Sequence, residues 1–257
     1  TAWVRSGTEA AREAADVVLT DDDFATIVKA IAEGRRISQN IRNFVAFLLS
    51  ANFGEVILFA IAILAGIGAP MTVVQVLTVN LLTDGLPAVA LTRDPASGRT
   101  LRSRPRGHGA LFSRRLQFAL GMMGVAVGLT ATAAYVIGRA MEPAAAQTMA
   151  FATLATAELV LVFSIRSGIS PAWRAPRNPY LLASVLVSFL LLVLSIYLPP
   201  LRDAFGTEPL GIVAAVVVAG LAVAPSGLTE AVKAGLRRRR RHSASAPMER
   251  LESRWRP

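Results

Sequence analysis

The sequence predicts an all-α membrane protein: a six-transmembrane-helix bundle preceded by a short α/β segment. Three observations carry this prediction. The chain of 257 residues is 53% hydrophobic and only 7% aromatic, with a positive mean hydropathy, a membrane-protein composition. Six apolar stretches, at about 44–66, 71–91, 115–138, 147–165, 179–198 and 209–230, reach the roughly 20 residues that a helix needs to cross a bilayer. Of the 27 Lys and Arg, only Arg139 and Arg202 fall in loops on one side. The basic side is expected to be cytoplasmic, and an even number of spans then places both termini there. The expected location is the plasma membrane.

The N-terminal segment reads as helix, short strand and long helix. Glu9 to Ala15 is alanine-rich and favours a helix. Asp16-Val17-Val18-Leu19 is a short β-branched run that suits a buried strand. Asp21-Asp22-Asp23 offers N-cap oxygens to the next helix. Such a triplet can also hold a hard cation, but it lacks the acid alternation and glycine turn of a calcium loop, so capping is the expectation. The next helix carries Phe24, Ile27, Val28 and Ile31 at helical spacing and runs through Arg35-Arg36 and Asn40 into the first span. About forty residues cannot bury an independent core, so the segment is expected to be the end of a larger domain. No apolar core lies near the terminus, and no cleaved signal peptide is expected.

The first two spans, and the last two, are expected to form hairpins across loops of a few residues. The second and fourth carry polar residues. Asn52 and Glu55 are spaced to share a face of the first span, and Asn80, Thr83 and Asp84 to share a face of the second. Gly85 and Pro87 follow at once. Proline removes a backbone donor, so the helix is expected to loosen there and free carbonyl oxygens beside Asp84; irregular backbone in a membrane is tolerated where it lines a site. Glu158 lies on the fourth span, with Thr156 nearby. Gln75, close to a span end, is expected to serve packing or the interface.

Three acids in apolar spans, with no Lys or Arg near them in sequence, point to a cation. The ligand inventory is all oxygen, which suits hard cations, and Ca²⁺ takes six to eight such ligands. No His or Cys lies in the spans, which argues against soft metals. Asn52 or Thr83 alone would serve equally well as a helix-to-helix hydrogen-bonding group. Without Cys there is no disulfide framework and no thiolate chemistry. The net charge of +10 is loop charge that sets topology, plus the Arg237–Arg241 run, which suits anionic lipid headgroups. Membrane lipid is thus an expected partner and nucleic acid is not.

These residues carry a resemblance. Gly7-Thr8-Glu9-Ala10-Ala11-Arg12-Glu13-Ala14-Ala15-Asp16-Val17-Val18-Leu19, then Asp21-Asp22-Asp23-Phe24, Ile27-Val28 and Glu33-Gly34-Arg35, are similar to the end of a phosphorylation domain and the stalk that follows it. Asn52-Phe53-Gly54-Glu55 and, most specifically, Val79-Asn80-Leu81-Leu82-Thr83-Asp84-Gly85-Leu86-Pro87-Ala88 are similar to ion-binding stretches. Arg104-Pro105-Arg106 is similar to a basic-proline turn of the following loop. Together they resemble the C-terminal part of P-type cation-transporting ATPases, closest to the calcium-pump branch, over about residues 7 to 233.

The resemblance implies family helices five to ten. It divides the chain into the end of the phosphorylation domain and stalk (1–43), a transmembrane cation-transport domain (44–233) and a basic cytoplasmic tail (234–257). It implies that Asn52, Glu55, Thr83, Asp84 and Glu158 form one ion site, that Asn80 and Asp84 serve a second, and that Asp84 bridges both. The transported cation is expected to be Ca²⁺, with Mn²⁺ as the other candidate; ATP and Mg²⁺ belong to the complete pump. The phosphorylated-aspartate motif Asp-Lys-Thr-Gly-Thr and the Gly-Asp-Gly motif do not occur, so this chain alone is not expected to hydrolyse ATP. The missing N-terminal pump domains, on the same or a separate chain, are the implied partner. Two other readings stay open: a standalone membrane cation-binding or partner subunit, and an inactive relic.

Overall fold

The computed structural model describes residues 2–4, 10, 13, 17–19, 23–95, 113–168 and 170–252. Two three-residue strands open the chain, β1 (Ala2–Val4) and β2 (Val17–Leu19), paired in parallel with Trp3 opposite Val18. β2 falls where the β-branched run predicts a strand. β1 has no signal in the sequence, because three residues carry too little periodicity to read. The expected helix Glu9–Ala15 and the turn Arg104-Pro105-Arg106 lie largely or wholly outside the described residues.

Helix α1 (Phe24–Leu64) follows without interruption. Asp23 caps it, its Oδ1 accepting from the Ala25 N–H at 2.8 Å, which satisfies one of the orphan donors of the first turn. At 1.5 Å per residue the helix is about 60 Å long, roughly twice a bilayer core, so stalk and first span are one rod. It ends at Gly66 and Gly68, which take positive φ values of 62° and 84° that only glycine adopts without strain.

The second span has three parts: α2 (Val73–Thr78), a π-helical stretch (Val79–Asp84) and α3 (Gly85–Leu91). A capping box starts it, with the Gln75 N–H donating to Thr72 Oγ1 and the Thr72 N–H to Gln75 Oε1. Four further helices follow: α4 (Arg114–Met141), α5 (Ala146–Arg166), α6 (Pro179–Tyr197) and α8 (Ile212–Glu252). The connection between α6 and α8 is not a bare loop, as the sequence led us to expect. Pro199 and Pro200, preorganised for a first turn, start a short helix, α7 (Pro199–Phe205), that Gly206 ends at φ 61°. α8 also continues past the sixth apolar stretch and through the arginine run.

Among the described residues, six helices are thus long and apolar enough to cross a membrane. α5 is by far the most enclosed and packs against α1, α4, α6 and α8. Its buried residues mix small and polar side chains (Ala150, Ala152, Thr153, Ala155, Ala157), which let helices approach closely, with large apolar ones such as Phe151, Leu154 and Leu161. α6 is the most hydrophobic and the least buried of the six. α1 and α4 come closest of all. A Cβ on Gly124 would sit 2.7 Å from the Ser50 carbonyl oxygen, and one on Gly128 2.6 Å from that of Gly54. Backbone rests on backbone there.

Candidate cation site

The site is built on three helices, and local sequence explains each placement. α1 passes Glu55 into the bundle because Gly54 beside it lets α4 pack closely. The second span swells into a π turn immediately before Gly85 and Pro87, slightly upstream of where the sequence predicts loosening. Pro87 lacks the N–H that would bond back one turn, and the Ser188 hydroxyl of α6 donates instead to the Leu82 carbonyl at 2.7 Å. π turns widen the helix and present an extra residue to one side; here Thr83 and Asp84 are both carried into the core. α5 supplies Glu158 from the middle of the bundle.

The three acids are buried: Glu55 is 8% exposed, Asp84 1% and Glu158 0%. Asn80 Nδ2 donates to both Glu55 oxygens, at 2.8 and 2.9 Å, and to the Val76 carbonyl at 3.1 Å. The amide thus tethers the first span to the second. Asp84 and Glu158 face each other, and Glu55 is near enough to act electrostatically on both. Apart from each other's carboxyl group, Asp84 and Glu158 have no hydrogen-bond partner for their four oxygens.

The six sequence candidates are not all gathered. Glu55, Asn80, Asp84 and Glu158 come together. Thr83 is buried beside Asp84, but its hydroxyl donates to the Val79 carbonyl of its own helix at 2.8 Å. Asn52 is exposed and turned back on its own helix, its Nδ2 donating to the Leu48 carbonyl at 2.8 Å. Among the described residues, no three acidic or His side chains stand close enough to close around a metal as they are arranged. The physical reason is visible at Glu55, whose carboxylate is engaged by Asn80 rather than aimed at the other two acids.

Three buried acids without a basic partner must be neutralised, by protons or by a cation. One ionised carboxylate at a bilayer centre costs about 3 kcal/mol on insertion scales, so three uncompensated ones would cost roughly 9 kcal/mol, comparable with the whole stability of a typical domain. Protonation of the acids removes that cost, and a hard cation held by their oxygens would offset it.

Sequence reasoning missed other buried polar groups. Gln75, expected to serve packing, is fully buried and donates to the Gly206 carbonyl at 3.1 Å, joining the second span to α7. Lys233 is buried in α8, where its Nζ donates to Glu230 Oε1 at 2.7 Å and to Ser167 Oγ at 2.8 Å. The three-residue spacing of Glu230 and Lys233 was the available signal. Asp94 and Arg166 also pair, and nothing in their separation along the chain announces it.

Comparison with known proteins identifies the family. Residues 68–235 match the family described as "Cation transporting ATPase, C-terminus". A calcium-transporting ATPase of Bacillus subtilis is 43% identical over 207 residues, which cover 79% of this chain and 23% of the relative. Calcium-transporting ATPase 1 of Bacillus cereus is 40% identical over 226 residues, 80% of this chain and 25% of the relative. A P-type sodium-transporting ATPase of Toxoplasma gondii is 48% identical over a shorter 101 residues, 39% of this chain and 8% of the relative. The chain thus spans about a quarter of the length of the calcium-transporting relatives. With a family match over well more than half its length, the chain belongs to the P-type cation-transporting ATPases and corresponds to their C-terminal membrane region.

Proposed function

We propose that the chain is the ion-holding membrane part of an ATP-driven pump and that its cargo is Ca²⁺. The observation that carries this is the pair Asp84 and Glu158, fully enclosed and set against each other, with no other group bonded to their four oxygens. The names of the bacterial relatives favour Ca²⁺, and the all-oxygen inventory suits it. Mn²⁺ would find the same oxygens acceptable. The ligand set is Asn52, Glu55, Asn80, Thr83, Asp84 and Glu158. Its assembly needs Glu55 to leave Asn80 in part, Thr83 to turn its lone pairs inward, and Asn52 to rotate off its own helix.

ATP and Mg²⁺ act in domains supplied from outside the described bundle. Phosphorylation there would tilt or shift the stalk end of α1, and the unbroken rod would carry that movement to Asn52 and Glu55. Coupling of this kind needs one element that both sites bias, and α1 is that element. The charge of the basic loops supports a cytoplasmic position for both ends of this chain.

The test is equilibrium binding of ⁴⁵Ca²⁺ to the chain in lipid nanodiscs. Wild type should bind, and Asp84→Asn should weaken binding at least about tenfold, which is about 1.4 kcal/mol. In a complete pump the same substitution should abolish ion-dependent phosphorylation by ATP. Undiminished Ca²⁺ binding by Asp84→Asn would overturn the assignment.

A further inference from the structure

A second buried charge cluster lies at the far end of the same helices. Asp94 follows α3 and is 6% exposed. Arg166, at the end of α5, grips it with both prongs: Nη2 donates to Oδ1 at 2.6 Å and Nε to Oδ2 at 3.2 Å. The same Nη2 donates to the Pro176 carbonyl at 2.6 Å. Asn178, the N-cap of α6, donates to Asp94 Oδ1 at 3.0 Å and to the Ala90 carbonyl at 3.3 Å, while its own oxygen accepts from the Leu181 N–H. Asn40, on the stalk part of α1, donates to the backbone carbonyls of Thr92 and Asp94 at 2.9 and 3.0 Å. Four helices are tied at one residue, and a forked guanidinium on a carboxylate fixes orientation as well as distance.

The three arms that meet there carry the three acids of the cation site. Asp84 is roughly ten residues from Asp94, about 15 Å of helix, and Glu158 is about eight residues and 12 Å from Arg166. Glu55 lies on the same helix as Asn40. α3 is short and its far end is the π turn, so beyond its apolar packing on α1 and α6 this clamp is the polar tie that holds its other end against α5.

We propose that Asp94 is a positioning residue: the Asp94–Arg166–Asn178–Asn40 clamp sets the axial register between the helix carrying Asp84 and those carrying Glu158 and Glu55. Its effect on ion binding rests on the function proposed above; its effect on helix register does not. Removing one partner of a buried ion pair leaves the other charge uncompensated, so loss of Asp94 should release α3 rather than merely loosen it.

The chain has no cysteine, so spin labels can be placed cleanly at Val89→Cys on α3 and Leu129→Cys on α4, both exposed. α4 packs on α1 but takes no part in the clamp, and it serves as the reference. In nanodiscs, Asp94→Ala should broaden the distance distribution and weaken ⁴⁵Ca²⁺ binding about tenfold or more. Asp94→Asn, which keeps an acceptor oxygen, should do less of both. Asn40→Ala leaves the ion pair intact and should broaden the distances too; it keeps the test alive if Asp94→Ala does not fold. A merely structural role would lower the thermal midpoint and leave both readouts of the folded chain unchanged, and that result would overturn the proposal. So would broadened distances with unaltered Ca²⁺ affinity. A wild-type chain that takes up no Ca²⁺ would instead refute the pump reading, and the label distances alone would then decide whether the clamp holds α3.

Discussion

Asn80 and Asn52 were equivalent candidates as letters, and the structure separates them. Asn80 holds both oxygens of Glu55, whereas Asn52 is exposed and bonded to its own helix. Asn80→Ala removes two hydrogen bonds to a charged group, each worth about 1.5 kcal/mol or more in a buried setting. It should weaken ⁴⁵Ca²⁺ binding by at least about tenfold; Asn52→Ala, which removes one ligand and no tether between spans, should weaken it too, but by less. The acids themselves were legible because a carboxylate in an apolar span is expensive wherever it points. Rotamer choice was not legible: whether Thr83 faces the pocket or its own Val79 carbonyl depends on a local hydrogen bond that both conformations can offer. Asp94 was unreadable for another reason. It lies at the end of a span, where a lone acid looks like an ordinary loop charge, and its partner Arg166 is remote in sequence.

Among elements, the close pair α1 and α4 shows what glycine does in a membrane. Packing there cannot rely on water expulsion, so close approach of the two backbones supplies the attraction. Gly128→Ala would push a methyl to 2.6 Å from the Gly54 carbonyl, and the overpacking should cost about 1–3 kcal/mol, read as a lower thermal midpoint. Gly34→Ala is the contrast: nothing lies within 4 Å of its Cβ position, and the change should hold or raise the midpoint through helix propensity of up to about 1 kcal/mol. The six spans were readable from apolar length, and the weakened second span from Gly85 and Pro87. Which glycines meet another helix was not, because one face of a helix looks the same in sequence whether it meets lipid or a neighbour. The seven-residue α7 also escaped notice, since its two prolines read as a turn.

At the scale of the molecule, one enclosed helix organises the rest, and it presents small and large buried side chains to its neighbours on several sides. The order of spans was legible; their arrangement around α5 was not, because lipid-facing and buried apolar residues obey the same hydropathy. Charge asymmetry makes a separate, directional prediction. Intact cells expressing single-cysteine variants should show Glu142→Cys, between α4 and α5, labelled by a membrane-impermeant maleimide. Arg174→Cys, between α5 and α6, should stay protected until the membrane is opened. The reverse pattern would invert the topology.

The π turn at Val79–Asp84 has a consequence of its own. It adds one residue to a coil of about 3.6 per turn, so everything beyond it is rotated by about 100° from where a regular helix would put it. Such a surplus residue is a dislocation, and dislocations glide. Shifting it along the span would swing Asp84 out of line with Glu158 and deal another side chain in its place, with neither end of the span having to travel.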